Sequence, residues 1–421
     1  MSHVNAPALG AQAPRTGVFA RSATGRTTNE EVRQQNLSAV LRLVHTGGAL
    51  SRSALGSATG LTRSSITGLV AELVELGLVR ETSTAPTGRA GRPSLGVEAD
   101  DSVAALSVRA EPDAVTVSLV GFGGSVHSRV RHDLVSAPSP RRFAQITASL
   151  VDGMRADIDR HYRLIGAGLA VPGLVDEAGT VMLAPPLGWR RESIATRLSD
   201  ALGLPVTAGN DASIGAMAEA RFGVGRHVSN LLYLGGSMHG IGGGLIFDGM
   251  LLRGTSGFAG ELGHTVIDPR GTKCACGRRG CLEAEVSPAR VLALLGRRKL
   301  DEDELDIELG VVRTPAVLAE LERQVDTLSI ALTNFVNAFA PESIVLSGYL
   351  GVLLSLSRER LSAAVRVDPV GSEGRSVRLE RARMRSHLMQ IAPAELAFDP
   401  ILEDPVSYAD IEAHGFDARR G

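Results

Sequence analysis

Apolar residues recur at helical spacing in three short runs within the first 80 positions, and residues that cap helices bound each run. The first run ends at the glycine pair 47–48, Ser51 can cap a second helix that ends at Gly60, and Thr62 can cap a third that ends before Gly77. Two short helices joined by a glycine turn behind a first helix predict a helix-turn-helix. The apolar faces consist of Leu37, Val40, Leu41, Val44, Leu55, Ala58, Ile66, Leu69, Val70, Leu73 and Leu76.

The outward positions at the front of the third helix are short, polar and basic, as entry into a DNA major groove requires. Segments 78–81 and 95–97 predict two strands, and the loop 86–93 between them is rich in glycine, proline and arginine. Its arginines can approach phosphates or lie in a minor groove, which is typical of a wing. The alternative is a three-helix interaction module with a solvated basic loop. The predicted DNA-contacting residues are Arg52, Thr62, Arg63, Ser64, Ser65, Thr67, Arg89 and Arg92.

From about Val103 onward, short apolar strands alternate with helices, which predicts an α/β domain. A hairpin, a long helix and a strand come first, and a second group of strands follows around a glycine-rich turn. The predicted segments are strands 104–108, 115–120, 164–171, 231–234, 245–247 and 344–346, with helices over 141–160 and 314–339.

Composition adds a domain estimate and a charge asymmetry. A chain of 421 residues predicts two or three domains. Residues 1–28 have no apolar period, which predicts a disordered tail. Residues 1–95 hold ten arginines and five acidic residues, a balance of +5, which leaves −7 for the remainder of a chain with net charge −2. A basic front indicates a polyanionic partner. The chain has no apolar run long enough to span a membrane and no secretory signal, so we expect a cytoplasmic protein.

All three cysteines lie within eight residues, at Cys274, Cys276 and Cys281, and His264 stands ten residues before the first. Three thiolates and one imidazole predict a closed tetrahedral Zn²⁺ site, which is structural because no coordination position stays open for water. Glycines between the cysteines, 277 and 280, supply the positive φ or close approach that such a loop needs. The alternative is a chance cluster of small buried residues.

The stretch from Gly260 to Glu283 contains Gly-Glu-x-Gly-His followed by Cys-x-Cys-Gly-x-x-Gly-Cys-Leu-Glu, and this motif closely resembles the signature of the ROK family of repressors and sugar kinases. The resemblance implies a two-lobed, actin-like (ribonuclease H-like) sugar-kinase fold with a cleft between its lobes. ROK repressors also have a winged helix before this fold. We therefore predict a tail at 1–28, a winged helix-turn-helix at 29–98 and a ROK domain at 99–421.

Asn210 and Asp211 open a helix after a strand, and a residue pair in this place can be a simple helix cap. The resemblance implies instead that both bind sugar hydroxyls, with Asp211 at the position of the kinase general base. With Glu261, His264 and Glu283 they make five polar positions that match those of the family, which suits a sugar or sugar phosphate. One position departs, because Pro186 stands where family sequences have a sugar-contacting asparagine.

The phosphate-binding segments also depart from the family pattern. ROK kinases have Asp-x-Gly-Gly-Thr after the first strand of the body, whereas residues 109–113 read Arg-Ala-Glu-Pro-Asp. Both glycines are absent, a proline removes an amide, and two carboxylates would repel a triphosphate. The second glycine-rich segment, 238–244, has His239 in place of threonine. We therefore expect Asp211 to contact ligand without catalysing phosphoryl transfer.

Together these patterns predict a sugar-responsive regulator, a repressor that a sugar releases from a palindromic operator. Two-fold half-sites require a homodimer or a dimer of dimers. Two alternatives stay open. One is an ATP-dependent sugar kinase with an added DNA-binding domain. The other is a regulator controlled by a protein partner, which Pro186 favours.

Overall fold

A computed structural model describes residues 28–83, 96–312, 314–366 and 377–408. The predicted tail lies outside the described residues except for Thr28. The predicted wing loop 86–93, with Arg89 and Arg92, also lies outside them.

The first module consists of three helices and a small sheet. Ser51 and Thr62 cap the second and third helices, each accepting a hydrogen bond from a backbone N–H three residues on, as predicted. A two-residue strand that the pattern did not predict completes an antiparallel sheet in the order β1-β3-β2. The elements are α1 (Asn29–Gly47), β1 (Leu50–Ser51), α2 (Arg52–Thr59), α3 (Arg63–Glu75), β2 (Val79–Thr82) and β3 (Gly96–Ala99).

The first lobe of the body is a five-stranded sheet in the order β11-β7-β4-β5-β6, flanked by two helices and a three-stranded sheet. Its main strands are β4 (Val103–Glu111), β5 (Ala114–Gly121), β6 (Val126–Asp133), β7 (Arg163–Val171) and β11 (Val206–Asn210). The other elements are α4 (Pro140–His161), β8 (Leu174–Val175), β9 (Val181–Ala184), β10 (Trp189–Glu192) and α5 (Ile194–Leu202).

The second lobe repeats this plan with a sheet in the order β14-β13-β12-β15-β16. Its strands are β12 (Leu231–Ser237), β13 (Gly240–Phe247), β14 (Met250–Leu251), β15 (Ser343–Gly348) and β16 (Arg378–Arg381). The helices are α6 (Asp211–Phe222), α7 (Leu282–Glu285), α8 (Pro288–Leu294), α9 (Glu302–Val311), α10 (Pro315–Phe339), α11 (Tyr349–Leu356), α12 (Arg358–Arg366) and α13 (Leu388–Glu403).

Both sheets have three antiparallel strands followed by two parallel ones. In the first lobe β6, β5 and β4 are antiparallel, and β7 and β11 add in parallel. In the second lobe β14, β13 and β12 are antiparallel, and β15 and β16 add in parallel. This repeated topology, behind a winged helix-turn-helix, confirms the predicted fold class. Within the described residues, no helix is long and apolar enough to cross a membrane.

One prediction about the second lobe is wrong in detail. Glycines 242–244 were expected in a turn, but they lie inside β13 and pair with β12. The turn between the two strands is formed by residues 238–239 instead. Glycine is required in this strand because three neighbouring elements pack closely against it.

The last helix, α13, returns from the second lobe and packs against the first. Its buried side chains join those of α1 and of β5 in one apolar cluster. The contact with β7 is unusually close at Gly168, where a Cβ atom would lie 1.6 Å from the carbonyl oxygen of Pro393. Only glycine permits this approach, so a side chain at this position would push α13 away from the sheet.

We expect Gly168→Ala to lower the free energy of unfolding by about 2 kcal/mol or more, because overpacking that displaces backbone typically costs about 1–3 kcal/mol. Gly153→Ala is the matched control. Gly153 lies in α4 with no atom within 4 Å of the added methyl, so alanine there should stabilise by about 0.5–1 kcal/mol. Urea denaturation of both variants measures the difference, and equal stability would contradict the close contact.

Candidate functional site

His264, Cys274, Cys276 and Cys281 converge, as the sequence predicts, with one ligand atom from each lying within 4.8 Å of the others. The Sγ atoms of Cys276 and Cys281 are 3.6 Å apart, and Cys274 Sγ lies 3.7 Å from His264 Nδ1. Zinc bond lengths of about 2.0–2.3 Å give tetrahedral edges of about 3.3–3.8 Å. Two of the ligand-atom separations therefore match the edge of a tetrahedral site, and the four side chains form a group that could hold a metal ion.

Glycine shapes the loop that carries these ligands. Gly277 and Gly280 have φ of 93° and 68°, as expected. A Cβ atom at Gly280 would lie 1.5 Å from the carbonyl oxygen of Asp268, and β-bridges join Val266 to Cys281 and Lys273 to Arg279. The loop is thus folded back tightly on itself around the four groups.

Glu283 connects the thiol cluster to the interlobe cleft. Its Oε1 lies 3.1 Å from Cys274 Sγ and 3.3 Å from His264 Nδ1. The other ring nitrogen of His264, Nε2, faces Glu261 Oε2 at 3.8 Å. His264 therefore presents one nitrogen to the thiols and the other to the cleft, which allows it to serve both roles predicted for it.

Glu261, Glu283 and Asp211 form one acidic group. Burial raises the pKa of Glu261, His264 opposes the rise, and Glu283 and Asp211 add to it. Burial also raises the pKa of Asp211, against the opposing charge of Arg109. Carboxylates gathered in a partly buried cleft are acceptors for hydroxyl groups.

Asn210 is the cap of α6, so part of the capping alternative is correct. Its Oδ1 accepts a hydrogen bond from Ser213 N–H at 3.0 Å, and its Nδ2 donates to the Gly173 carbonyl at 3.0 Å. Asp211 is the first helical residue, and its Oδ1 accepts from Ala212 N–H at 2.8 Å. Asn210 therefore anchors the helix start, and Asp211 lines a pocket beside Arg109 and His239.

The glycines of β13 allow three elements to pack against one strand. Added Cβ atoms would lie 2.5 Å from Glu283 Oε2 at Gly240, 2.5 Å from Ala212 Cβ at Gly242, and 2.6 Å from a backbone oxygen at Gly243. This strand brings the start of α6 and Glu283 together. The sequence predicts a glycine-rich turn here, beside the phosphate or the sugar, and does not predict this packing, since the packing partners are remote in the chain.

The segment at 109–113 contributes residues 109–112 to a pocket that Asp211, Ser237 and His239 also line. Its charged groups are paired internally. Glu111 contacts Arg109 at 3.4 Å and Arg131 at 2.7 Å. Asp113 pairs with Lys299, which belongs to the second lobe, so an ion pair crosses the cleft there. Sequence reasoning missed Arg109, Arg131 and Lys299 as partners, because their pairing depends on the folded chain.

The helix-turn-helix presents most of the predicted DNA-contacting residues to solvent. Thr62, Arg63, Ser64, Ser65 and Thr67 are all exposed along the front of α3. Arg52 differs, because its guanidinium pairs with Glu81 of β2. It therefore ties α2 to the sheet, whereas Arg63 makes no ion pair with the described residues.

Comparison with known proteins agrees with this architecture. A model of the ROK family matches residues 114–383, and a model of the MarR family matches residues 38–90. The chain belongs to the ROK family. It is 30% identical over 319 residues to the xylose repressor of Bacillus subtilis. The matched region covers 75% of this chain and 82% of that repressor.

Two solved structures of ROK proteins have the same fold. The first is a ROK transcriptional regulator described as a homologue of the Escherichia coli MLC protein. It has a TM-score of 0.70 at 24% identity and covers 91% of this chain and 100% of its own. The second is a ROK hexokinase from Thermus thermophilus, with a TM-score of 0.58 at 29% identity, covering 71% of this ROK chain and 99% of its own. The larger coverage by the regulator reflects the winged module.

If the four-residue cluster holds a metal, Cys276→Ser should reduce bound metal from one ion per chain to well below one, because a hydroxyl is a poor replacement for a thiolate ligand. Lys273→Ser, an exposed change on the same loop, is the control and should retain the ion. Elemental analysis of the purified proteins measures both. A Cys276→Ser protein that keeps one ion per chain would contradict this prediction, and wild-type protein without bound metal would contradict the metal site itself.

Proposed function

We propose that this ROK protein is a DNA-binding transcriptional regulator, a repressor that a sugar or sugar phosphate releases from its operator. The observation that carries the proposal is the combination in one chain of an exposed recognition helix and a polar cleft in which Glu111 and Asp113, at the phosphate end, are paired with basic side chains. Such a protein works in the cytoplasm as a homodimer or dimer of dimers on two-fold DNA sites.

The proposed sugar contacts are Asn210, Asp211, Glu261, His264 and Glu283. Asp211, Glu261 and Glu283 act on one another electrostatically in the cleft, and His264 faces two of them. A polyol presents several hydroxyl donors, which three carboxylates can accept. The name of the Bacillus subtilis relative, a xylose repressor, supports a carbohydrate ligand.

The metal proposed for the four-residue cluster is zinc, in a structural role. All four positions come from protein side chains, which leaves no site for bound water. When bound, the ion would fix the loop that carries His264 and Glu283. Its function would be to hold two cleft residues in place.

We further propose that the chain does not transfer phosphate from ATP. The loop at 109–113 lacks the glycine amides that cradle phosphates, and Glu111 and Asp113 are paired with basic groups of the protein. The second candidate function is that of an ATP-dependent sugar kinase, because kinases such as the Thermus thermophilus hexokinase share the fold. A regulator that responds to a protein partner is a third candidate, since Pro186 offers no side-chain hydrogen bond.

Asp211→Asn should weaken sugar binding at least about tenfold, because the amide replaces one carboxylate oxygen, a charged hydrogen-bond acceptor, with an NH2 group that can only donate. Calorimetry with xylose, glucose, N-acetylglucosamine and their phosphates measures the affinities. Asp152→Asn, an exposed change on α4, is the control. If no sugar binds the wild type while DNA binding persists, the protein-partner function replaces this one. Turnover of ATP with a sugar that disappears in Asp211→Asn would support the kinase.

Arg63→Ala should weaken binding to a duplex selected from a random library by about 5- to 150-fold, the range expected for a lost base contact. Arg155→Ala, on α4 in the first lobe, is the control and should leave duplex affinity unchanged. Fluorescence anisotropy measures both. Equal affinities of Arg63→Ala and wild type would contradict the placement of α3 in the major groove.

A further inference from the structure

A buried charged cluster joins the helix-turn-helix to the body of the protein. Arg221, in the last turn of α6, donates from Nη1 to Glu395 Oε2 at 2.8 Å and also pairs with Asp399 on α13. The same oxygen of Glu395 lies 3.1 Å from Nε2 of His45, near the end of α1. Three helices from different parts of the chain therefore meet at one carboxylate.

At its His45 and Glu395 end the cluster is buried among aromatic rings. The side chains of His45 and Glu395 are both 0% exposed. The ring of His45 lies 4.4 Å from that of Phe122, 5.3 Å from Phe222 and 5.6 Å from Phe398, measured between centroids. Burial acts to raise the pKa of Glu395, but the charges and hydrogen bonds of His45 and Arg221 outweigh it and lower that pKa. Glu395 is thus an ionised group, and its carboxylate contacts side chains of both α1 and α6.

Burying charges at this joint is not the simplest way to make it stable. Apolar side chains of similar volume often pack at equal or lower free energy than a buried ion pair, whereas charged partners fix one relative placement of the elements that carry them. The pairing is also incomplete, because Glu395 Oε1 and His45 Nδ1 have no hydrogen-bond partner among the described residues. Buried polar atoms without partners cost free energy, so this joint is not optimised for stability alone.

Helix α6 connects this cluster directly to the proposed sugar site. Its first residue is Asp211, and Arg221 follows ten residues later on the same helix. At 1.5 Å per residue the two lie about 15 Å apart along one helix axis. Asp211 and Arg221 therefore lie on one continuous helix, which packs directly on the glycines of β13.

The far side of the cluster leads to the recognition helix. His45 lies in the last turn of α1, and Val40, Leu41 and Val44 of α1 share an apolar cluster with Ile66 of α3. Movement of α1 therefore displaces α3. The path from the cleft to the DNA-binding surface runs from α6 through the Glu395 carboxylate to α1, and from α1 through apolar packing to α3.

We propose that Arg221, Glu395 and His45 couple the cleft to the DNA-binding module, so that ligand contact at the start of α6 changes operator affinity through these three side chains. This inference rests on the proposed function. The three residues touch neither sugar nor DNA, so they act as positioning residues. Their removal should reduce the coupling between two sites that each keep their own affinity.

The test is a coupling measurement on Glu395→Gln, which keeps the shape and removes the charge. Affinity for the selected duplex is measured by anisotropy with and without the panel sugar that binds most tightly by calorimetry. Allosteric factors are typically about 5- to 150-fold. We expect such a change in wild type and less than about a twofold change in the variant, with sugar affinity alone unaltered.

Glu219→Gln is the matched control. Glu219 lies on the same helix α6 and is equally buried, but its carboxylate accepts hydrogen bonds from the backbone of Val224 and Met384 and does not contact α1. Its coupling should equal that of wild type. Asp399→Asn is a milder change, at a side chain that is 24% exposed and forms its ion pair with Arg221. It should give an intermediate coupling, and it serves as the test if Glu395→Gln does not fold.

The outcomes separate the inference from the function on which it rests. If wild type responds to sugar and Glu395→Gln or Asp399→Asn responds equally, the coupling path is wrong and the proposed function stands. If Glu219→Gln loses as much coupling as Glu395→Gln, the effect is general destabilisation and the path is again wrong. If the duplex affinity of wild type does not change with any sugar, the proposed function and the path both fail.

Discussion

The close contact of α13 with the first lobe is the constraint on which the rest of the structure depends. The backbone of α13 touches β7 where Gly168 leaves room for the Pro393 carbonyl. The same helix presents Glu395 to α6 and α1. Because one helix from the end of the chain packs against both the body and the winged module, the two cannot move independently.

The two ends of the cleft differ in charge and in shape. At the acidic end, glycines in β13 bring α6 and Glu283 close together, which gathers three carboxylates beside His264. At the other end, groups that would face a phosphate are bound to one another, and Asp113 pairs with Lys299 across the lobes. The cleft therefore contains carboxylates that can accept hydrogen bonds from sugar hydroxyls, whereas its basic groups are paired and are not free to bind a phosphate. This difference in chemistry underlies the proposal of ligand sensing without phosphoryl transfer.

Local features of the sequence predicted the local parts of the structure well. Caps at Ser51 and Thr62 place the helix-turn-helix because each hydrogen bond spans only three residues. The cysteine cluster likewise depends on a loop of 21 residues from Glu261 to Cys281, with glycines that require positive φ. In contrast, Arg221 and Glu395 are 174 residues apart. No local pattern marks such a pair, and the packing role of the β13 glycines was hidden for the same reason.

Hydrogen exchange of the full-length protein, with and without a bound sugar, tests most directly whether cleft and winged module form one coupled unit. The account predicts that sugar changes amide protection in α1 around His45 and in α13 around Glu395, as well as at Asp211 and in 261–283. Changes confined to the cleft, with α1 and α13 exchanging at unaltered rates, would contradict it.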